Sequence, residues 1–392
     1  MKPLSFIIVG SGWRSMFYAE IARRYPERFH LEYMLCRREE KAAYIRQEYQ
    51  IPATTSVTAC EAARPDFVVV AVSKPSICEV TLEWAEKGFA VLCETPAGMT
   101  VEQLKALWES RERFGSRIQV AEQYTRYPIL AAGLQAIRQG RLGEPYAVHL
   151  SIAHDYHGVS LIRHMLNLKP GPVRLWGRQD CYPVMETDSR YGAITDGSVK
   201  ERERNRILME FGSGKTAFYD FSGVQYHSYI RSRHLNVQGQ NGEWNDTIVR
   251  YVQKAHPTNS PSMNADPMNI VPMRNNGKQF DTPEGRMQPD AFLPTEERLH
   301  LYRNPRYKEL ETDWLKEKSR VWNPVLELER EQDEYAIAAM MFDMKEFMED
   351  GVECYPLAEA LEDAYVWILM QKALKNPGIW VESERMPWQD IG

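Results

Sequence analysis

The chain has 392 residues, 43% of them hydrophobic, with Lys+Arg 48 against Asp+Glu 54 and a net charge of −6. At about 150 residues per domain this length holds two domains, or three, with enough core that no disulfide or metal staple is required. Its mild acidity excludes a protein that coats nucleic acid or anionic membrane by bulk charge, so neither is expected as a partner.

Lys2 leads straight into Pro3–Gly10, an apolar stretch too short for a secretory leader or a membrane span, so a cytoplasmic protein is expected. The six cysteines are scattered, with no C-x-x-C and no zinc spacing, which fits a reducing compartment.

Phe6–Val9 predicts a strand and Met16–Tyr25 a helix, and Leu31–Leu35 with Arg38–Tyr49 repeats the pair. Phe67–Val72 is an unbroken run of apolar residues rich in valine, the pattern of a strand buried on both faces. Ser76–Lys87 predicts a helix, Ala90–Cys93 a strand, and Thr100–Phe114 a helix opened by a Thr100/Gln103 capping box. Arg117–Ala121 closes this series, and the alternation predicts a doubly wound parallel sheet over residues 1–122.

The rhythm then changes. Ala147–Ala153 predicts a strand and Tyr156–Leu168 a helix. The strands Arg206–Phe211 and Thr216–Phe221 meet across Gly212–Lys215, while His234–Gln238 and Thr247–Tyr251 flank a turn at Gly239–Gly242. Together they predict an α/β domain over 123–392 with an open, mostly antiparallel sheet. From about 254 to 323 the periodicity fails in a Pro-, Asn- and Met-rich insertion, which suits a lid or an oligomer arm. Helices return at Gln332–Met348 and Leu357–Lys375.

Gly10-Ser11-Gly12-Trp13-Arg14-Ser15 follows the first strand and opens a helix. It fits the dinucleotide fingerprint G-x-G-x-x-G/A with Ser15 as the small third residue, and so points to a Rossmann sheet. The second strand ends in Arg37 and Arg38, where an acid would bind the 2′-hydroxyl of NAD. Guanidinium groups suit a 2′-phosphate, which favours NADP over NAD. Arg38 also reads as a solvated helix start.

Three more segments complete a pattern: Cys93-Glu94-Thr95-Pro96 after the fifth strand, Gln123-Tyr124-Thr125-Arg126-Tyr127, and Gly140-Arg141-Leu142-Gly143-Glu144-Pro145. With the fingerprint, their order and spacing resemble the Gfo/Idh/MocA family of NAD(P)-dependent oxidoreductases over about 1–250 and, more faintly, 332–375. The resemblance implies a Rossmann domain followed by an α/β domain, and hydride transfer at a sugar or polyol hydroxyl carbon. It also implies assembly through the open sheet as a homo-oligomer, a dimer or tetramer. The cofactor cradle it implies comprises Gly10, Gly12, Trp13, Arg14, Ser15, Arg37, Arg38, Ser73, Lys74, Glu94, Thr95, Pro96 and Gln123.

The chain departs from the pattern in three places, one of them after the fourth strand, where Val72-Ser73-Lys74-Pro75 stands in place of the family's usual histidine. The lysine of the family's E-K-P is Thr95, whose hydroxyl can hydrogen-bond but cannot serve as a general base. On the second-domain helix, if His164 takes the place of the family's histidine, Ser160 and Asn167 replace its acids. Helical spacing independently puts His157, Ser160, His164 and Asn167 on one face, flanked by Tyr156 and Arg163. His157 and His164 are the candidates for proton transfer, and Arg163 for holding a substrate oxygen. Asp155 would orient a histidine or cap the helix. Tyr226, His227, Arg231 and Arg233 would face substrate or a neighbouring subunit, and Asp180, Tyr182 and Asp188 read as a loop. His154-x-x-His157 lacks a convincing third ligand, so no metal is expected. Two rival functions accompany the dehydrogenase: a redox-neutral cycle on a glycoside with retained NAD, and a regulator that binds NADP(H) without turnover.

Overall fold

The structure, a computed structural model, describes residues 2–189, 192–254, 292–299, 328–353 and 355–390. Most of the aperiodic insertion, with Cys354, lies outside these residues.

Six parallel strands form the first sheet, in the order β3-β2-β1-β4-β5-β6. They are β1 (Leu4–Val9), β2 (Phe29–Leu35), β3 (Ala53–Thr54), β4 (Phe67–Val70), β5 (Ala90–Cys93) and β6 (Ile118–Val120). Every residue of β4 and β5 is buried, as a sheet covered on both faces demands. The crossovers carry α1 (Trp13–Arg24), α2 (Glu39–Tyr49), α3 (Val57–Ala62), α4 (Ile77–Glu86) and α5 (Val101–Phe114). Thr100 caps α5 by accepting from Gln103 N (3.3 Å), but the Gln103 side chain accepts from Met99 N (2.7 Å), one residue short of the expected capping box.

After α6 (Pro128–Arg138) comes the second sheet, nine strands in the order β16-β15-β14-β13-β7-β12-β11-β8-β17. Its members are β7 (Pro145–Ser151), β8 (Val173–Met185), β11 (Val199–Phe211), β12 (Thr216–Phe221), β13 (His234–Gly239), β14 (Gly242–Asn245), β15 (Ile248–Lys254), β16 (Phe292–Arg298) and β17 (Val381–Glu382). The short pair β9 (Asp188–Ser189) and β10 (Gly192–Ala193) stands apart. All pairings in the large sheet are antiparallel except β7 with β12.

Three expectations are corrected here. His234–Gln238 and Thr247–Tyr251 do not pair directly, because β14 stands between them; its Gly- and Asn-rich start imitates a turn, while Trp244 buries it. Asp180 and Tyr182 are not loop residues. They lie on β8, where Asp180 pairs with Arg178 (2.7 Å) and Arg206 (2.8 Å), and Asp188, also read as a loop, lies on β9. Part of the insertion is also a strand, since β16 pairs along β15.

One face of this sheet is covered by α6, α7 (Asp155–Met165) and α9 (Leu357–Lys375). The intervening helix, α8 (Leu328–Asp350), returns to the first sheet across the boundary expected at 122/123. Its Ile337, Met340, Met341, Met344 and Phe347 pack in one cluster with Phe6, Tyr18, Ile21 and Phe29, and its alanines let it approach α1 closely.

Candidate active site

β1 runs into Gly10, whose φ is +119°. A Cβ there would stand 2.3 Å from the Ala71 carbonyl oxygen, so conformation and space both demand glycine. At Gly12 the same test meets nothing within 4 Å, and no side chain caps the first amides of α1. Ser15 is fully buried, with Oγ 3.5 Å from the Ala71 carbonyl, as the close packing of α1 requires. Beyond this turn lies a cavity of about 740 Å³ lined by Gly10–Arg14, Leu35–Arg38, Lys41, Thr55, Val57, Ala71–Ser73 and Val80. Open helix amides beside a glycine that admits close approach fit a pyrophosphate.

At one end of the cavity Arg37 and Arg38 are exposed, and neither is tied to a carboxylate among the described residues. The acid beside them, Glu39, is spent on Arg46 (2.5 Å). Trp13 is half exposed at the turn, its ring against Phe17 (4.7 Å between centroids). Ser73 and Lys74 are exposed after β4.

At the other end the side chains close into a polar knot. Glu94, after β5, is 7% exposed and faces protein: it accepts from Arg14 Nε (3.0 Å) and from the Tyr18 hydroxyl (2.7 Å). The Gln123 amide is oriented so that its oxygen accepts from Arg14 Nη2 (2.7 Å) and its nitrogen donates to the Ala121 carbonyl (2.9 Å). Arg14 Nη1 lies 3.7 Å from Asp333 of α8. Burial opposes the charge on Arg14, but Glu94 and Asp333 outweigh it and raise its pKa above the ordinary value.

The helix stripe divides along its length. His157, 6% exposed, bonds through Nδ1 to Glu122 Oε2 at 2.7 Å. Glu122 follows β6 and is fully buried. Burial is the largest influence on both, pushing Glu122 up to about 8 and His157 down to about 3. Since neither charge is welcome there, the pair holds its protons jointly and titrates as a unit. His154, just ahead of α7, bonds through Nδ1 to the Tyr226 hydroxyl (2.6 Å), which also accepts from the His154 backbone N–H (2.8 Å). Tyr226 meets the Tyr124 hydroxyl at 3.1 Å, and the Tyr124 ring lies against His157 (4.5 Å between centroids). Lys74 and Arg14 stand close enough to disfavour protonation of both imidazoles.

The rest of the stripe turns away from this junction. Ser160 bonds the Tyr355 hydroxyl (3.0 Å), and His164 stacks on the Tyr355 ring with Nδ1 on the Ser160 carbonyl (2.9 Å). Asn167 is exposed. Arg163 is 2% exposed and fully engaged by α9, bonding Glu359 and Asp363 at 2.6 Å each, so it holds helices together and offers nothing to a substrate. Tyr156 is buried too, its hydroxyl sealed inside the protein. Asp155 does not cap α7; its backbone N–H donates to the Tyr219 hydroxyl (3.0 Å). Arg231 bonds the Met185 carbonyl (2.9 Å), and Arg233 lies over the Tyr226 ring (5.7 Å).

Glu122 and Asp333 were not singled out by sequence, and His154 was weighed only as a metal ligand. A signal existed for Glu122, because it sits just past the carboxyl end of a strand, where ligands bind in open α/β sheets. Among the described residues no three His, Cys, Asp or Glu side chains gather as a metal site, and no helix is long and apolar enough to cross a membrane.

Comparison with known proteins bears on this arrangement. Residues 4–122 match the oxidoreductase family with an NAD-binding Rossmann fold, GFO_IDH_MocA. A D-apiose dehydrogenase of Paraburkholderia graminis is 31% identical over 81 residues, which is 21% of this chain and 22% of that protein. The match thus spans about a fifth of its length. Among solved structures, an NAD-binding oxidoreductase from Klebsiella pneumoniae superposes with a TM-score of 0.66 at 15% identity, covering 98% of this chain and all of the other. An Agrobacterium radiobacter oxidoreductase in complex with NAD+, L-tartaric acid and magnesium gives 0.64 at 13% identity, covering 97% and 98%. The WlbA dehydrogenase of Bordetella pertussis, in complex with NADH and UDP-GlcNAcA, gives 0.60 at 12% identity, covering 98% and 99%. At these identities the likeness is one of fold.

Proposed function

We propose, from the premise that residues 4–122 belong to the Gfo/Idh/MocA oxidoreductase family, that this protein is an NAD(P)-dependent oxidoreductase. Its substrate is a sugar- or polyol-like molecule, oxidised or reduced at a hydroxyl or ketone carbon, and NADP is the preferred cofactor. The bound dinucleotide supplies the hydride acceptor or donor.

The buried Glu122–His157 pair, just past the carboxyl end of β6, carries this reading. When the pair loses its shared proton, the Glu122 carboxylate accepts from His157 Nδ1–H and Nε2 keeps a lone pair. That nitrogen can then take the proton of a substrate hydroxyl, with the carboxylate holding the ring in the required tautomer. In the protonated state the same nitrogen is a donor, suited to ketone reduction. Arg14 ties the turn to Glu94 and to Gln123, the chain neighbour of Glu122, so turn and base keep a fixed relation. Arg37, exposed and unpaired among the described residues, supports the NADP preference.

The uncovered face of the second sheet presents Trp176, Leu208 and Phe218 in one cross-strand row, which suits a homo-oligomer. The five described cysteines are free, which suits a cytoplasmic setting.

The test is a titration with NADPH and NADH, followed by energy transfer from tryptophan to bound nicotinamide, and then a polyol screen with the preferred oxidised cofactor. Preference for NADPH and turnover of a polyol support the reading. Preference for NADH removes the phosphate assignment, and catalysis without added cofactor replaces the dehydrogenase with a redox-neutral cycle.

A further inference from the structure

The junction holds two imidazoles, but one proton transfer needs only one. His154 and His157 present their rings to each other at 5.1 Å between centroids, nearly perpendicular. Each has Nδ1 committed, to Tyr226 and to Glu122 respectively. Neither Nε2 has a protein partner among the described residues, and neither is sealed from solvent. An anchored ring with one open nitrogen has a fixed direction, and two such rings 5.1 Å apart are near enough to serve different oxygens of one substrate.

We propose that His154 is a specificity residue that binds, through Nε2, the hydroxyl on the carbon adjacent to the reacting one, so that the substrate is a vicinal diol. This deepens the oxidoreductase reading and rests on it.

In the oxidation direction the reacting hydroxyl gives its proton to His157 Nε2, and a dinucleotide held in the Gly10–Arg14 turn would take the hydride of the same carbon with its two electrons. The C–O single bond becomes C=O. The neighbouring hydroxyl keeps its proton and exchanges only a hydrogen bond with His154. Burial and the nearby His157 hold His154 neutral, with a pKa near 3, so it acts as a hydrogen-bonding partner and not as a cation. Tyr226, bonded to both the ring and the backbone N–H of His154, is its positioning residue, with Tyr124 behind it.

The experiment compares kcat/KM for the best polyol of the screen with kcat/KM for its counterpart lacking the adjacent hydroxyl. The wild type is expected to prefer the diol by about 100-fold, since a site built for a hydroxyl rejects the analogue without it. In His154→Asn the amide can still reach Tyr226 but nothing stands at the Nε2 position, and the ratio should fall below about 5-fold. His154→Gln, whose longer amide approaches the Nε2 position, should restore part of it. A role in folding alone would give the opposite order, with Asn the better replacement. An undiminished ratio in His154→Asn, or equal losses on both substrates, overturns the assignment. If the wild type oxidises no polyol, the same compounds are titrated into dinucleotide-loaded protein and the imidazole ¹H–¹⁵N signals of His154 are followed. Shifted signals keep the diol contact and discard only the dehydrogenase, whereas unmoved signals discard the contact itself.

Discussion

His157 and His164 lie on the same face of one helix, two turns apart, yet they live in different chemistry. His157 meets a buried carboxylate that follows the last strand of the first sheet. His164 meets the carbonyl of its own helix and the ring of Tyr355, and burial merely lowers its pKa. The difference teaches that a polar stripe marks where a helix touches other elements, and that the element met decides the role. Where α7 meets the first domain its histidine bonds a buried carboxylate, and where it meets α9 the same residue types become packing and ion pairs.

The sharpest break of this comparison is a pair of substitutions. His157→Ala should lower kcat by about 10²–10⁴ while NADPH affinity stays within about 3-fold, and His164→Ala should change kcat by less than about 3-fold. Steady-state kinetics beside fluorescence titration measures both, and equal losses would erase the distinction between the two ends.

Next in size is Arg163→Ala, which leaves Glu359 and Asp363 without their cation; burial already holds Asp363 up near 7. Chemical denaturation should show a loss of about 3–5 kcal/mol. A catalytic defect in a variant of normal stability would instead return Arg163 to the site.

The pH dependence refines the His157 end. Because the Glu122–His157 pair gives up its proton near 8, alcohol oxidation should rise as pH increases through about 8, and ketone reduction should fall over the same range. In Glu122→Gln the only titrating partner is a histidine that burial depresses, so the midpoint should move down by several units. Stability shifts with the same sign. A carboxyl raised from 4.5 to about 8 contributes fully below 4.5 and loses that contribution as pH rises toward 8. The wild type should therefore lose stability relative to Glu122→Gln between those values. A pH-independent difference in denaturation midpoint would refute the raised carboxyl.

The smallest expected effect is at the opposite end of the cavity. Arg37→Ala should weaken NADPH about 10-fold and leave NADH within about 2-fold, a change of roughly 1.4 kcal/mol. Equal effects on both cofactors would remove the 2′-phosphate contact.

The sequence made the scaffold of both regions readable for a definite reason. The Rossmann half repeats a local rule, an apolar strand then an amphipathic helix, and its first turn advertises itself through Gly10, whose backbone path only glycine follows freely. The end of β2 was readable in the same way, since Arg37 follows directly from the strand. The junction was half readable. The spacing of His157 and His164 put both on one face, but nothing in the periodicity says that Glu122 approaches one and Tyr355, about 190 residues away, the other. Arg163 invited a substrate role because its two acids lie on α9. Glu94 pointed to the cofactor for a similar reason, though its partners are Arg14 and Tyr18. β14 was lost for a purely local reason, because Gly242 and its neighbours look like a turn to any rule that reads four residues at a time.

The return of α8 to the first sheet sets the order in which the molecule can be completed. On a ribosome the strands β1 to β6 emerge first, with all the pairing they need, but among the described residues the apolar surface of Phe29, Ile21 and Tyr18 is completed by residues 337–347. The cofactor domain therefore stays unfinished until most of the second domain has been made, and Asp333 reaches Arg14 only then. Whatever the Arg14–Asp333 contact contributes must therefore wait for near-complete synthesis.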